Sequence, residues 1–225
     1  MFERTVRDRW ELIEPLVRSG SVLDVGCCDA RPARAAPPAL AAGEQRAVVS
    51  RGVSRGAARG GLFRRMHAVN PRVVGLDQDA DGVAALVREG FEAVAGDAET
   101  TDLGRHFDCI VAGEVIEHLA NPGRFLENMR RHLAPGGALV LTTPNPFAQG
   151  QTSRIWRRGR PLVHEEHTNW QDPTTLAVLL GRAGLRVADG AWIQPPRALT
   201  RSWKRLLRPW FAHSFAVVAR SAQVV

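Results

Sequence analysis

An α/β fold is predicted, with a doubly wound, mostly parallel seven-stranded sheet, helices on both faces and an antiparallel last strand. Three observations predict it. Short apolar runs alternate with amphipathic segments along the 225 residues. Each run is apolar nearly throughout, as strands covered on both faces require. Several runs end in a polar group, namely Asp24, Asp77, Asp97 and Glu114, at the strand ends where such sheets hold ligands. With 44% hydrophobic residues the chain can bury one sizeable core, and it is read as one domain over 1–225.

Residues 1–19 place Phe2, Val6, Trp10, Ile13 and Val17 at helical spacing, predicting an N-terminal helix. "SVLDVGCC" is the first buried strand. Residues 30–61 are rich in Ala, Arg, Gly and Pro without a lasting apolar period, and are read as a flexible insertion. Then come the helix "LFRRMHAV", the second strand "RVVGLD", the helix "ADGVAALVREG" with its glycine cap, the third strand "FEAVAGDAE" and the fourth, "FDCIVAGE". "NPGRFLENMRRHLAPGG" reads as a helix stopped by Pro-Gly-Gly, and "ALVLTTPNP" as the fifth strand. After a polar, basic stretch, the helix "DPTTLAVLLGRAG" leads to "LRVADGAWI" and "FAHSFAVVAR" as the last two strands.

No apolar run approaches the roughly 18 residues of a membrane span, and the N-terminus lacks a signal-peptide core. The expectation is a soluble cytoplasmic protein. Cys27, Cys28 and Cys109 form neither a disulfide framework nor a CxxC pattern, and are read as small buried hydrophobes. A net charge of +7 and a pI near 10.9 would raise nucleic acid or an anionic membrane as partners. Lys204 is the single lysine, however, and the Arg, Ala, Gly and Pro bias is that of a GC-rich genome. Basicity therefore counts only where it clusters. It does so at 194–210, where Leu199, Trp203, Leu206 and Trp210 share a helical face with Arg201, Lys204, Arg205 and Arg208 largely elsewhere. That segment is read either as packing on the domain or on a partner copy, or as a lid or peripheral membrane contact.

From about residue 20 to 190 the chain resembles the class I S-adenosylmethionine-dependent methyltransferases, which are Rossmann-like. The resemblance rests on "VLDVGCCDA", "VVGLD", "AGDAE" and "LAPGGALVLTTPNP". It implies S-adenosyl-L-methionine as cofactor, with Asp24, Gly26, Asp77, Asp97 and Glu114 around it. Gly26 would let the backbone approach, Asp77 would accept from the ribose hydroxyls, and Asp97 would face the adenine amine. Two glycines of the family pattern are replaced by Cys28 and Ala30, whose side chains are expected to crowd the loop. Asp77 also lies farther from the first motif than is usual for the ribose acid.

Glu114, Glu117 and His118 stand at i, i+3 and i+4, one face if the segment is helical. With a histidine from "VHEEHTNWQDPTTL" they would complete an O,O,N,N set for a divalent metal such as Mg²⁺, Mn²⁺ or Zn²⁺. The alternative is an ordinary polar helix start. The pattern also resembles ubiquinone-pathway O-methyltransferases and small-RNA 3′-terminal ribose 2′-O-methyltransferases. That resemblance points to His167 as fourth ligand, with His164 its competitor. A metal there would lower the pKa of a bound hydroxyl; without one, His118 or His167 could act as general base.

The expected function is O-methylation of a small hydroxylated molecule. One rival is an RNA 3′-terminal ribose 2′-O-methyltransferase, which steep salt dependence would favour. The other is a non-catalytic cofactor-binding protein with a degenerate glycine loop.

Overall fold

A computed structural model describes residues 2–28, 61–161, 163–193 and 208–222. In chain order the elements are β1 (Arg4–Val6), α1 (Trp10–Val17), β2 (Val22–Val25), α2 (Leu62–Val69), β3 (Val73–Asp77), α3 (Ala80–Arg88), β4 (Ala93–Ala95) and β5 (Phe107–Gly113). There follow a 3-10 turn (Ile116–His118), α4 (Pro122–Arg131), β6 (Leu133–Pro144), α5 (Gln149–Arg158), α6 (Pro173–Arg182), β7 (Leu185–Ile193), α7 (Arg208–Phe211) and β8 (Ser214–Ser221). Nearly all of the expected insertion, residues 30–60, lies outside the described residues, as does 194–207 of the basic segment.

The strands form one eight-stranded sheet in the order β1-β7-β8-β6-β5-β2-β3-β4. β8 runs antiparallel to both neighbours, as expected of the last strand. The other pairings are parallel. The eighth strand is β1, which the helical spacing of residues 1–19 had absorbed. Arg4, Thr5 and Val6 pair with Ala191, Trp192 and Ile193, and the ring of Phe2 meets Trp192 edge-on at 5.7 Å. Sheet-edge pairing overrides the local period, and the helix starts only at Trp10. The "LAPGG" segment is likewise strand: Leu133 already pairs with Phe107. A Cβ at Gly137 would stand 2.9 Å from the Ala134 carbonyl and 3.0 Å from that of Phe107, so glycine is what lets the two backbones close up.

Successive strand residues serve opposite faces. Leu23, Val25, Ile110, Ala112, Leu139 and Leu141 join Phe125, Leu126 and Met129 of α4 and Leu176 and Leu180 of α6. Val22, Cys109, Val111 and Val140 join Trp10 and Ile13 of α1 with Phe63 and Met66 of α2. Each fully buried large side chain contributes roughly 1.5–3 kcal/mol. Capping sets the helix starts on the α4/α6 side. Asn121 accepts from the Arg124 N–H at 3.0 Å, and Asp172 forms a capping box with Thr175, each cap contributing about 1 kcal/mol. No helix among the described residues is long and apolar enough to cross a membrane.

Leu126 is completely buried whereas Val178, also helical, is 54% exposed. Leu126→Ala should cost about 2–5 kcal/mol of unfolding free energy in a urea titration, and Val178→Ala within about 0.5 kcal/mol of zero. Equal effects would show that α4 does not seal this face.

Candidate active site

β2 lies between β3 and β5, so the connections leaving β2 and β5 diverge and open a crevice at their carboxyl ends. Three of the strand-end residues meet on the β2/β3 side. Gly26 has φ +76°, and a Cβ there would stand 2.7 Å from Cγ2 of Val115, which explains the glycine. Asp77 accepts from the Cys28 N–H with Oδ2 at 2.9 Å and from the Asp79 N–H with Oδ1 at 2.9 Å. Its carboxylate thereby holds the loop after β2 against the start of α3, with further lone pairs left to accept. Asp24 is buried beneath the loop. Burial pushes its carboxyl well above the ordinary range, Arg9 opposes this, and Asp77 adds to it.

The thiol of Cys28 lies beside Asp77, one of whose oxygens is within 4.8 Å of its sulfur. Its Sγ sits against α3, 2.7 Å from where a Gly82 Cβ would be; Ala30 lies outside the described residues. Asp97, exposed after β4, accepts from the Glu99 N–H with Oδ1 at 2.8 Å, which sets the turn.

Arg9 is a site residue that the sequence reading missed. Its charge favours the ionised forms of Asp24, Glu114 and Glu117. Its Nη1 lies 3.1 Å from where a Gly113 Cβ would stand. A signal was available: Arg9 is the N-cap of α1, where the helix dipole disfavours a cation unless carboxylates face it.

Glu114, Glu117 and His118 do not share a helical face. Glu114 has φ +59°, and its N–H still donates to the Thr142 carbonyl at 2.9 Å. The chain then tightens into the 3-10 turn, with His118 N–H donating to Val115 at 2.9 Å. β-sheet pairing carried one residue past β5 delays the helix. The left-handed Glu114 costs on the order of 1–3 kcal/mol, strain of a kind that collects at functional sites.

Glu117 is 1% exposed. Its Oε2 accepts from the Thr143 hydroxyl at 3.0 Å, while the buried Oε1 has no hydrogen-bond partner among the described residues. The histidine element is fastened to the same turn. Thr168 N–H donates to the Glu117 carbonyl at 2.9 Å, and Asn169 Nδ2 donates to Ile116 at 3.1 Å and Leu119 at 3.2 Å. The His118 and His167 rings consequently stand 4.7 Å apart, and His164 lies 5.4 Å from His167 and 6.1 Å from His118. One ligand atom from each of Glu117, His118 and His167 lies within 4.8 Å of the others. Glu114 is outside that trio, although its charge reaches Glu117.

Burial and then the Glu114 charge push the Glu117 carboxyl up to about 8. Glu114 is also raised by burial, opposed by Arg9 and Thr142. Burial lowers His118. Burial, with the two neighbouring imidazoles, brings His167 down to about 4. At neutral pH the trio is thus two uncharged rings and a carboxyl that retains its proton for want of a nearby cation. These donors suit a divalent ion, and the orphaned Oε1 is where one would relieve an unmet buried acceptor.

A family model described as a methyltransferase domain matches residues 1–189. A mitochondrial ubiquinone biosynthesis O-methyltransferase of Arabidopsis thaliana is 30% identical over 126 residues, covering 53% of this chain and 38% of that protein. A ubiquinone biosynthesis O-methyltransferase of Nitrobacter winogradskyi is 31% identical over 138 residues, covering 56% and 52%. The matched region thus spans about half or less of these relatives. An S-adenosylmethionine-dependent methyltransferase of Mesorhizobium loti shares the fold with a TM-score of 0.60 at 16% identity, covering 94% of this chain and 97% of that one.

Glu117 generates a pH prediction for the metal-free protein. Its folded pKa, about 8, exceeds the ordinary 4.5, so its contribution to stability is full below 4.5 and is lost as pH rises through 8. His118 and His167 are lowered from 6.5, so they act oppositely below that value and are silent above it. In chelator, unfolding free energy should therefore fall between about pH 6.5 and 8, and less so in Glu117→Gln. Parallel pH profiles for the two proteins would contradict the buried, uncompensated carboxyl.

Proposed function

The chain belongs to the S-adenosylmethionine-dependent methyltransferase family, and from that premise we propose that it methylates a hydroxyl oxygen of a small molecule, aided by a divalent cation at Glu117, His118 and His167. The convergence of these three side chains, together with the buried Glu117 Oε1 that has no hydrogen-bond partner among the described residues, carries the reading. Oxygen as the acceptor is supported by the relatives named O-methyltransferases.

The β2/β3 side suits the cofactor. The left-handed turn at Gly26 lets the backbone come close. The carboxylate of Asp77 is already oriented by two N–H donors and would accept from a vicinal diol. Asp97 is the candidate for the adenine amine. Bound there, the sulfonium supplies an electrophilic methyl group. The chain must then present a deprotonated oxygen in line with it and keep water away.

A cation held by Glu117, His118 and His167 would lower the pKa of a substrate hydroxyl and orient it. The titration of the two histidines favours this ligand role over general-base duty. An imidazole at about 4 is a poor proton acceptor at neutral pH but is already in the neutral form that coordination needs. His164, whose ring lies 5.4 Å from that of His167, stands beside the trio, where it could receive the released proton. Glu114, strained and close in charge to Glu117, is free to act as a further ligand or to face the cofactor.

Asp77→Ala should weaken S-adenosylhomocysteine binding by on the order of 2–4 kcal/mol in calorimetry while leaving the far-ultraviolet spectrum unchanged. Undiminished affinity would remove Asp77 from the cofactor site.

Activity should fall in chelator and return with Mg²⁺, Mn²⁺ or Zn²⁺, and His118→Ala should lose metal yet keep cofactor affinity. Because Glu117 must lose a proton held up to about 8, metal affinity should rise with pH until that value and then level off. Full turnover after exhaustive chelation, with no metal by elemental analysis, would overturn the cation's role.

A further inference from the structure

We propose that Cys27, Cys28 and Asp77 form a second cation site, selective for soft, thiophilic ions such as Cd²⁺, whose occupation excludes the cofactor from Asp77. In its exclusion clause the inference rests on the assignment of Asp77 to the ribose; in its metal clause it does not.

Neighbouring residues of an extended strand point to opposite faces, and Val25 follows that rule by joining the α4/α6 side. Cys27 and Cys28 break it. Both pack on the α1/α2 side, because the chain has just turned through the left-handed Gly26. One sulfur from each and one Asp77 oxygen consequently lie within 4.8 Å of one another.

Two glycines make room for the sulfurs. A Cβ at Gly75 would stand 2.5 Å from the Cys27 Sγ, and one at Gly82 would stand 2.7 Å from the Cys28 Sγ. A cleft of about 120 Å³ lined by Cys27, Cys28, Gly61, Phe63, Asp79 and Gly82, among others, gives an ion a way in.

The chemistry of the donors selects the guest. Burial pushes both thiols up, Cys28 to about 12, so neither is a ready nucleophile at neutral pH. An ion that binds sulfur strongly can displace those protons; Mg²⁺, which prefers oxygen, cannot. Two thiolates and a carboxylate would leave a fourth tetrahedral position open. Asp77 is shared between the two guests: its carboxylate already accepts from the Cys28 N–H, and if it ligates a metal it is withdrawn from a ribose diol. Soft metal bound there would then switch off cofactor loading whether or not the Glu117 trio is filled.

The experiment is a Cd²⁺ titration of the full chain, read by thiolate-to-cadmium charge-transfer absorption. It is paired with calorimetry of S-adenosylhomocysteine at zero and saturating Cd²⁺. The band should appear, fall by half or more in Cys27→Ser and in Cys28→Ser, and persist in Cys109→Ser. Cd²⁺ bound at the Glu117 trio gives no thiolate band. Saturating Cd²⁺ should weaken S-adenosylhomocysteine binding at least about tenfold, and much less in the Cys27→Ser/Cys28→Ser double variant. Absence of the band in the intact chain, or its full survival in both single variants, would overturn the metal site. A band with unchanged cofactor affinity would overturn the exclusion. If metal-free protein failed to bind S-adenosylhomocysteine at all, the cofactor assignment would fall, and the band would still decide the metal site.

Discussion

The desolvated carboxyl of Glu117 is the constraint on which the arrangement of the site depends. Moving a carboxylate out of water costs several kcal/mol unless charge or hydrogen bonds replace the water. Here the replacement is partial: one hydroxyl bond from Thr143, the distant charge of Arg9, and a like charge on Glu114 that worsens matters. Packing forces the burial. Ile116 is fully buried in the core, and the 3-10 turn it anchors leaves Glu117 facing inward. Thr168 and Asn169 then tie the histidine element to the carbonyls of that turn, so the imidazoles are brought to the carboxyl by main-chain geometry rather than by their own attraction to it.

Such a site is costly when empty of charge and gains when a cation arrives. Protonation is the default relief, which is why the carboxyl is held protonated up to about 8. A divalent ion offers a larger one, because it meets the orphaned Oε1 and two neutral imidazole lone pairs together. The strain at Glu114 belongs to the same balance. Its left-handed backbone keeps the sheet pairing to Thr142 while letting the chain turn sharply enough to bury Ile116.

The strands were legible because their residues are apolar on both faces, and the strand-end acids because polar groups interrupt those runs. Asp24, Gly26 and Asp77 are accordingly found together. Sequence period misled where sheet pairing competed with it. Residues 4–6 pair with β7 although Val6 falls on a helical stripe with Trp10 and Ile13, and Glu114 is held by β6 although its spacing to Glu117 and His118 is helical. Arg9 was illegible for a different reason: a charged residue near a helix start has no periodic signature, and its role depends on carboxylates more than a hundred residues away as well as on Asp24. α5 went unread because Gln149–Arg158 buries no side chain, leaving no apolar stripe to see.

The two clusters flanking the switch point differ in the hardness of their donors, and that difference separates their guests. Carboxylate and imidazole at Glu117, His118 and His167 accept hard or borderline ions, whereas the paired thiols at Cys27 and Cys28 favour borderline to soft ones. Zn²⁺ can enter either. Which it enters first depends on the protons it must displace: a carboxyl held to about 8 on one side, and on the other two thiols raised by burial, Cys28 to about 12. At neutral pH the smaller proton cost lies on the Glu117 side. An ion of modest sulfur affinity would therefore fill the Glu117 trio before it reached the cofactor loop, and the thiol pair would respond only to excess metal or to ions softer than zinc.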